Sequence, residues 1–221
     1  MLEKKIRYLQ IAFNGGLSSV EEILPQIPAN ERILIEAGTP FIKKEGFRGI
    51  RRISELWKGM VVADLKTMDG AVGEVELAYR AGATAATVLG SASKETLDLF
   101  IKKCSEFRMV SMIDLIGVEE PLKILLGLKV PPSVVVLHRG RDEETTRGKV
   151  IKYRHINKIK SKFDVLISAA GGVDLKEASS AIFNGANIVV VNLVSEDDPW
   201  TGIGLVEDIP KVAEEFLETI D

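Results

Sequence analysis

Residues 164–194 read DVLISAAGGVDLKEASSAIFNGANIVVVNLV and contain a complete strand–helix–strand pattern. The apolar run Asp164–Ser168 is followed by Leu175–Asn184, where apolar residues recur every three or four positions, as on one face of a helix. Gly185 then stands where a left-handed residue ends a helix, and the β-branched run Ile188–Val194 predicts a second strand. Because nearly continuous apolar strands are typical of a parallel sheet covered on both faces, this stretch predicts a βαβ unit.

The same alternation of apolar runs and amphipathic stretches recurs along the chain. Eight strands are predicted at Arg7–Phe13, Ile33–Glu36, Met60–Asp64, Ala85–Leu89, Met109–Leu115, Ser133–Leu137, Asp164–Ser168 and Ile188–Val194. Further helices are predicted at Val72–Ala81, Lys94–Phe107 and Ile209–Ile220. Ser93 is predicted to cap the second of these helices, and Gly82 to end the first.

Eight such units permit either a closed barrel or an open doubly wound sheet. An open sheet often carries G-x-G-x-x-G after its first strand, and Asn14-Gly15-Gly16-Leu17 lacks that spacing. We therefore predict the α/β class and a (β/α)8 TIM barrel that forms a single domain over residues 1–221.

Composition narrows the class of protein. The 221 residues include 29 Lys and Arg against 32 Asp and Glu, so the formal net charge is −3, without the basic stripe of a nucleic-acid-binding protein. Cys104 is the single cysteine, which excludes an internal disulfide, and Met1–Gln10 lack the apolar segment of a signal peptide. No apolar run reaches the ~18–20 residues that cross a bilayer. We expect a cytoplasmic protein with small ligands and neither nucleic-acid nor membrane partners.

In a TIM barrel the chemistry lies where the strands end at their carboxyl side. Those positions are Asn14, Glu36, Asp64 with Lys66, Gly90, Asp114, His138, Gly171 with Gly172, and Asn192, and they are unusually rich in ionisable groups. Carboxylates that converge there suit a hard divalent cation with oxygen ligands.

The strongest motif is Asp64-Leu65-Lys66-Thr67-Met68-Asp69. Asp64 and Lys66 share a face if the strand end is extended, because side chains alternate along a strand. A lysine held between carboxylates stays protonated and can stabilise an enediolate. The alternative is a surface ion pair, which the nearby third carboxylate, Asp69, disfavours.

His138 follows the sixth apolar run and precedes Arg139-Gly140-Arg141-Asp142. An imidazole at the barrel mouth can act as acid or base, and the two arginines favour an anionic ligand. The alternative is a histidine bonded to a loop carbonyl. Gly171 and Gly172 are a candidate phosphate cradle or a plain turn, since phosphate sites often follow strands seven and eight.

Taken together, these segments resemble the orotidine-5'-monophosphate decarboxylase superfamily, whose D-x-K-x-x-D signature matches Asp64, Lys66 and Asp69. The resemblance is closest to its 3-hexulose-6-phosphate synthase branch, in the archaeal form. It rests also on Glu36-Ala37-Gly38-Thr39-Pro40 and on residues 136–142, VLHRGRD, and it covers essentially the whole barrel in order.

The resemblance implies an Mg2+-dependent aldolase that joins formaldehyde to D-ribulose 5-phosphate, giving D-arabino-3-hexulose 6-phosphate, and reverses the reaction. Glu36 and Asp64 would hold Mg2+, and Lys66 would stabilise the charge of an enediolate. His138 would move the proton at C1, and Asp69 would reach the neighbouring subunit's site in a homodimer. The expected substrate-binding residues are Asn14, Glu36, Asp114, Arg141, Gly171 and Gly172.

The chain departs from the superfamily pattern at two strand ends. Asn14 stands where the first strand usually ends in Asp, and an amide cannot act as a base. The eighth strand continues as Val191–Asp198, VNLVSEDD, in place of a glycine-rich or Gly-Arg phosphate turn. These departures favour either a rebuilt phosphate site, using Arg139, Arg141 or Lys152, or a different substrate.

Two other functions remain open. One is decarboxylation of 3-keto-L-gulonate 6-phosphate, because residues 138–142 resemble the H-R-x-R-D segment of the enzyme that catalyses it. The other is a non-catalytic barrel that binds a phosphosugar, which the two departures would explain.

Overall fold

The computed structural model describes residues 2–146 and 150–221. Within those ranges nine strands form one sheet: β1 (Tyr8–Phe13), β2 (Ile33–Ala37), β3 (Val61–Thr67), β4 (Ala85–Leu89), β5 (Val110–Asp114), β6 (Val134–His138), β7 (Leu166–Ala170), β8 (Ile188–Val194) and β9 (Gly202–Gly204). The first eight are parallel and pair in chain order, and β8 pairs back with β1. The barrel is therefore closed, which confirms the predicted (β/α)8 fold and excludes the open sheet.

Helices connect the strands on the outside of the barrel. In the described residues they are α1 (Leu17–Ile23), α2 (Thr39–Leu56), α3 (Ala71–Arg80), α4 (Lys94–Glu106), α5 (Pro121–Leu126), α6 (Arg141–Glu144), α7 (Ile156–Lys160), α8 (Leu175–Phe183) and α9 (Ile209–Thr219). In that same part of the chain, no helix is both long enough and apolar enough to cross a membrane.

The predicted boundaries agree with the structure to within two residues for most elements. The largest difference is at β3, which runs on to Thr67, beyond the predicted end at Asp64. Ser93 caps α4 by accepting a hydrogen bond from the Thr96 amide at 3.1 Å, as predicted. Gly82 and Gly185 have φ of +94° and +99°, which confirms the left-handed helix ends.

One element was not predicted from the sequence. The three-residue strand β9 pairs with the end of β8, from Asn192 to Val194. Three residues that read Gly-Ile-Gly are too short to show a strand pattern. In the polar stretch 139–153, the structure describes the short helix α6, and residues 147–149 lie outside the described residues.

The barrel interior is built in layers of four side chains from alternate strands. To pass from one member of a layer to the next, two strands on, the pairing register is followed and then advanced by two residues, and one circuit of the barrel returns to the starting residue. From Glu36, for example, the register leads through Val62 to Ala85, and two residues further is Thr87. The lowest of three successive layers holds Gln10, Val62, Met112 and Ser168, the next holds Glu36, Thr87, Val136 and Val190, and the uppermost holds Ala12, Asp64, Asp114 and Ala170. Charged groups therefore enter only the upper two of these layers, beneath the barrel mouth.

Candidate active site

A cavity of about 400 Å3 opens at the mouth, where the strands end at their carboxyl side. Eight of the residues predicted for the site line it: Asn14, Glu36, Asp64, Lys66, Asp114, His138, Arg141 and Gly171. Closure of the barrel brings them together from the strands β2, β3, β5 and β6 and from the segments that follow β1, β6 and β7.

Lys66 links two buried carboxylates at the centre of the cavity. Its Nζ donates to Asp64 Oδ2 and to Asp114 Oδ2, each at 2.8 Å. His138 Nδ1 lies 2.8 Å from the same Asp114 oxygen. Because an ionised carboxylate only accepts hydrogen bonds, Nδ1 carries the proton and Nε2 is left to exchange one with a ligand. The four side chains form one continuous charged network.

The electrostatics of this network follow from burial and opposite charges. Burial disfavours the ammonium of Lys66, but Asp64 and Asp114 outweigh it and raise the pKa of this lysine. Burial likewise acts against ionisation of Asp114, yet His138 and Lys66 hold the pKa of Asp114 well below its usual range. The pKa of His138 is raised, because Asp114 outweighs the effect of burial. Lys66 therefore stays cationic and Asp114 stays anionic across the physiological range.

The backbone at Lys66 differs from the extended strand end assumed from the sequence. Its φ is +46°, and the register between β3 and β4 shifts between Ala63 and Thr67. The Lys66 amide donates to Thr87 Oγ1 at 2.9 Å, which anchors this bulge to β4. A non-glycine residue at positive φ costs on the order of 1–2 kcal/mol. Asp64 and Lys66 do meet, but through a bulge and not through simple alternation.

Glu36 is a third buried carboxylate, and Gln10 Nε2 donates to its Oε2. Burial, together with the nearby charge of Asp64, raises the pKa of Glu36 to about 7. Two acidic groups that repel one another in a buried cavity are a donor set that a divalent cation would stabilise. In the described residues no cluster of three or more His, Cys, Asp or Glu has metal-binding geometry. A cation held here would therefore complete its coordination with water or ligand oxygens.

The two departures noted in the sequence meet in space. Asn14 Nδ2 donates to Asn192 Oδ1 at 3.0 Å, at the ends of the neighbouring strands β1 and β8. The amide at the end of the first strand thus has a partner supplied by the altered eighth strand. In this bond Asn14 is the donor, a role that an ionised aspartate could not take.

Two residues predicted for the site do not line this cavity. Asp69 is exposed in the turn between β3 and α3. Gly172 lies beside Gly171 just outside the lining, where the Arg139 guanidinium donates from Nη2 to the carbonyl oxygens of both glycines, at 3.0 and 3.2 Å. His155, to which the sequence assigned no role, is in a 3-10 turn outside this cavity.

The polar lining residues that were not predicted as site residues include Gln10, Thr39, Lys43, Thr87 and Glu144. Thr39 and Thr87 each donate a hydroxyl hydrogen bond to Asp64, at 2.7 and 2.8 Å. Gln10 could have been found as a polar residue that faces inward from an apolar strand. Glu144 has no such signal, since it lies in a short acidic stretch that reads as exposed.

Comparison with known proteins places this geometry in a family. Residues 8–192 match the orotidine 5'-phosphate decarboxylase / HUMPS family. The bifunctional enzyme Fae/Hps of Methanocaldococcus jannaschii is 37% identical over 194 residues, which cover 87% of this chain and 49% of that protein. The chain therefore spans about half the length of this curated relative.

Two solved structures with a fold similar to that of this chain are both described as 3-hexulose-6-phosphate synthase. A 3-hexulose-6-phosphate synthase from Salmonella typhimurium superposes with a TM-score of 0.83 at 24% identity, covering 96% of this chain and 98% of that one. Another 3-hexulose-6-phosphate synthase gives a TM-score of 0.79 at 28% identity, covering 97% and 100%. With the family match extending over most of the barrel, the chain belongs to the orotidine 5'-phosphate decarboxylase / HUMPS family.

Proposed function

We propose that the chain catalyses the reversible aldol addition of formaldehyde to D-ribulose 5-phosphate, which gives D-arabino-3-hexulose 6-phosphate. The network of Asp64, Lys66, Asp114 and His138 beneath an open cavity carries this proposal, because it joins a permanent cation to a candidate proton carrier. Family membership and the names of the similar proteins support it.

Mg2+ is the cofactor that we propose, with Glu36 and Asp64 as the protein's two ligands. The buried, mutually repelling carboxylates fit a hard dication, which is commonly held by one or two carboxylates and by water or substrate oxygens. When bound there, Mg2+ would supply Lewis-acid stabilisation of negative charge on the sugar oxygens.

His138 is proposed to carry the proton. Asp114 orients the imidazole through Nδ1, so Nε2 can remove a proton from C1 of the pentulose phosphate and leave its electron pair in an enediolate. That pair forms the new carbon–carbon bond to formaldehyde, whose oxygen takes up a proton. Until that bond forms, Lys66 stabilises the enediolate through its fixed positive charge.

The remaining predicted residues are proposed to bind the sugar phosphate. Asn14 and Asp114 line the cavity where they can bond to hydroxyl groups, and Arg141 lies at its rim. Gly171 and Gly172, both at positive φ, would receive the phosphate. Decarboxylation of 3-keto-L-gulonate 6-phosphate stays as the second candidate, because Arg141 lines the cavity together with His138 as the H-R-x-R-D pattern anticipates.

The experiment is to incubate the protein with ribulose 5-phosphate and formaldehyde, with Mg2+ or with EDTA, and to follow formaldehyde. We expect formaldehyde to disappear only when Mg2+ is present. If none disappears but the keto-gulonate phosphate releases CO2, the protein is the decarboxylase. Absence of turnover with both substrates would favour the non-catalytic binding protein.

We also propose a homodimer in which Asp69 reaches the neighbouring subunit's cavity. Asp69 is exposed, and the apolar side chains of Met68 and Val72 beside it are 53% and 40% exposed, which suits an interface with a second copy. Sedimentation at micromolar concentration should show a species of twice 24.2 kDa. A 24.2 kDa species alone would rule out the shared site.

A further inference from the structure

The turn after β7 is a cradle formed by the backbone of two glycines. Gly171 and Gly172 have φ of +101° and +61°, a region that favours glycine. A Cβ on Gly171 would lie 1.9 Å from the Arg139 carbonyl oxygen, so no side chain fits there. Barrels often bind phosphate after strands seven and eight, where backbone groups can approach its oxygens.

Two arginines from the loop after β6 make this region cationic. The Arg139 guanidinium is hydrogen-bonded to both glycine carbonyls. The guanidinium of Arg141 stacks on the Trp200 ring, 4.3 Å from its centroid. Trp200 belongs to residues 195–201, which connect β8 to β9 and which we call the strap. The strap thus holds one of the two cations in place.

The Glu144 carboxylate already lies in this region. A Cβ built on Gly172 would be 2.9 Å from Glu144 Oε2 and 2.1 Å from Arg139 Nη2, so both groups rest against that glycine. Glu144 Oε2 also accepts from the Thr201 amide of the strap at 3.4 Å. Its other oxygen, Oε1, is buried and has no hydrogen-bond partner among the described residues.

The Glu144 carboxylate is held in place through one oxygen, while its other oxygen has no hydrogen bond to replace those it would make with water. Burial raises the pKa of Glu144, although the Thr201 amide, Arg139 and Arg141 act in the opposite direction. An acidic group with one unsatisfied oxygen is more readily displaced than a fully bonded one.

We propose that Glu144 is a specificity-determining residue, a resident anion in the cradle of Gly171 and Gly172 that a ligand's phosphate has to displace. The inference rests on the proposed function in so far as the ligand is a phosphosugar. In place of the usual glycine-rich turn after β8, this chain has the strap, which positions Arg141 through Trp200 and Glu144 through Thr201. Glu144 therefore weakens phosphate binding by charge repulsion and by occupying the space.

The test is calorimetric titration of the wild-type chain and the Glu144→Gln variant with inorganic phosphate, ribulose 5-phosphate and unphosphorylated ribulose. Glutamine keeps the shape and the acceptor for the Thr201 amide but removes the charge. We expect both phosphate-bearing ligands to bind about tenfold more tightly to the variant, with ribulose unchanged. Glu144→Ala serves as a second variant and should act in the same direction.

The matched control is Glu196→Gln, which removes the same charge from an exposed position of the strap. It should leave all three affinities within about twofold of wild type, because solvent screens a charge at that position. Equal or weaker phosphate binding by both Glu144 variants would overturn the inference, as would phosphate binding by none of the proteins. Wild-type binding of ribulose 5-phosphate without formaldehyde turnover would count against the proposed function alone.

Discussion

Replacing Asp64 by asparagine is expected to lower kcat for formaldehyde consumption by roughly 10^3-fold while the barrel stays folded. Asp64 accepts hydrogen bonds from Lys66, Thr39 and Thr87. The amide has the same shape, but it offers one acceptor oxygen in place of two and has no charge to balance the ammonium or a divalent cation. Rates should be measured at saturating Mg2+, with circular dichroism to verify the fold.

The matched control for this variant is Asp197→Asn, at an exposed position of the strap. It should keep the wild-type rate, because position 197 does not line the cavity. Retention by Asp64→Asn of more than about a tenth of the wild-type rate would remove Asp64 from the proposed chemistry.

Replacing Lys66 by methionine is expected to lower the free energy of unfolding by about 3 kcal/mol. The Lys66 side chain is 20% exposed, and those of its partners Asp64 and Asp114 are 9% and 2% exposed. Methionine has a similar length, but it leaves two buried carboxylates without their shared cation. Urea unfolding in EDTA measures the loss without compensation by a divalent ion.

Lys102→Met is the control for this loss, since the Lys102 side chain is 74% exposed. It should change the free energy of unfolding by less than about 0.5 kcal/mol. Adding Asp114→Asn to Lys66→Met should recover part of the stability, because it removes one of the unpaired charges. A Lys66→Met chain as stable as wild type would show that the network contributes nothing to folding.

The sequence predicted the barrel and much of the site for the same physical reason. Parallel strands bring their carboxyl ends to one mouth, so polar residues that follow apolar runs must converge there. Asp64, Asp114 and His138 are distant in the chain, yet each directly ends or closely follows such a run, and the structure brings them into one network. Their catalytic roles stay predictions.

Other features depend on contacts that no local pattern reveals. The bond between Asn14 and Asn192 joins the first and eighth strands, so each residue alone reads as an isolated departure. Glu144 acquires its position from Gly172 and from the strap, whose acidic composition predicts only a solvated loop. β9 is too short for periodicity to show it. These are effects of tertiary packing, which a single sequence does not display.

The bulge at Lys66 has a consequence for protein design. Grafting Asp64, Lys66 and Asp114 onto another barrel as three side chains would transfer the residue types without the backbone that presents them. The host strand would also need the register shift after Ala63 and the positive φ at position 66. A threonine in the next strand would be required to accept a hydrogen bond from the backbone amide of the lysine, as Thr87 does here. The transferable unit is therefore a pair of neighbouring strands with a defined irregularity, and a host chosen for its regular geometry would be the wrong starting point.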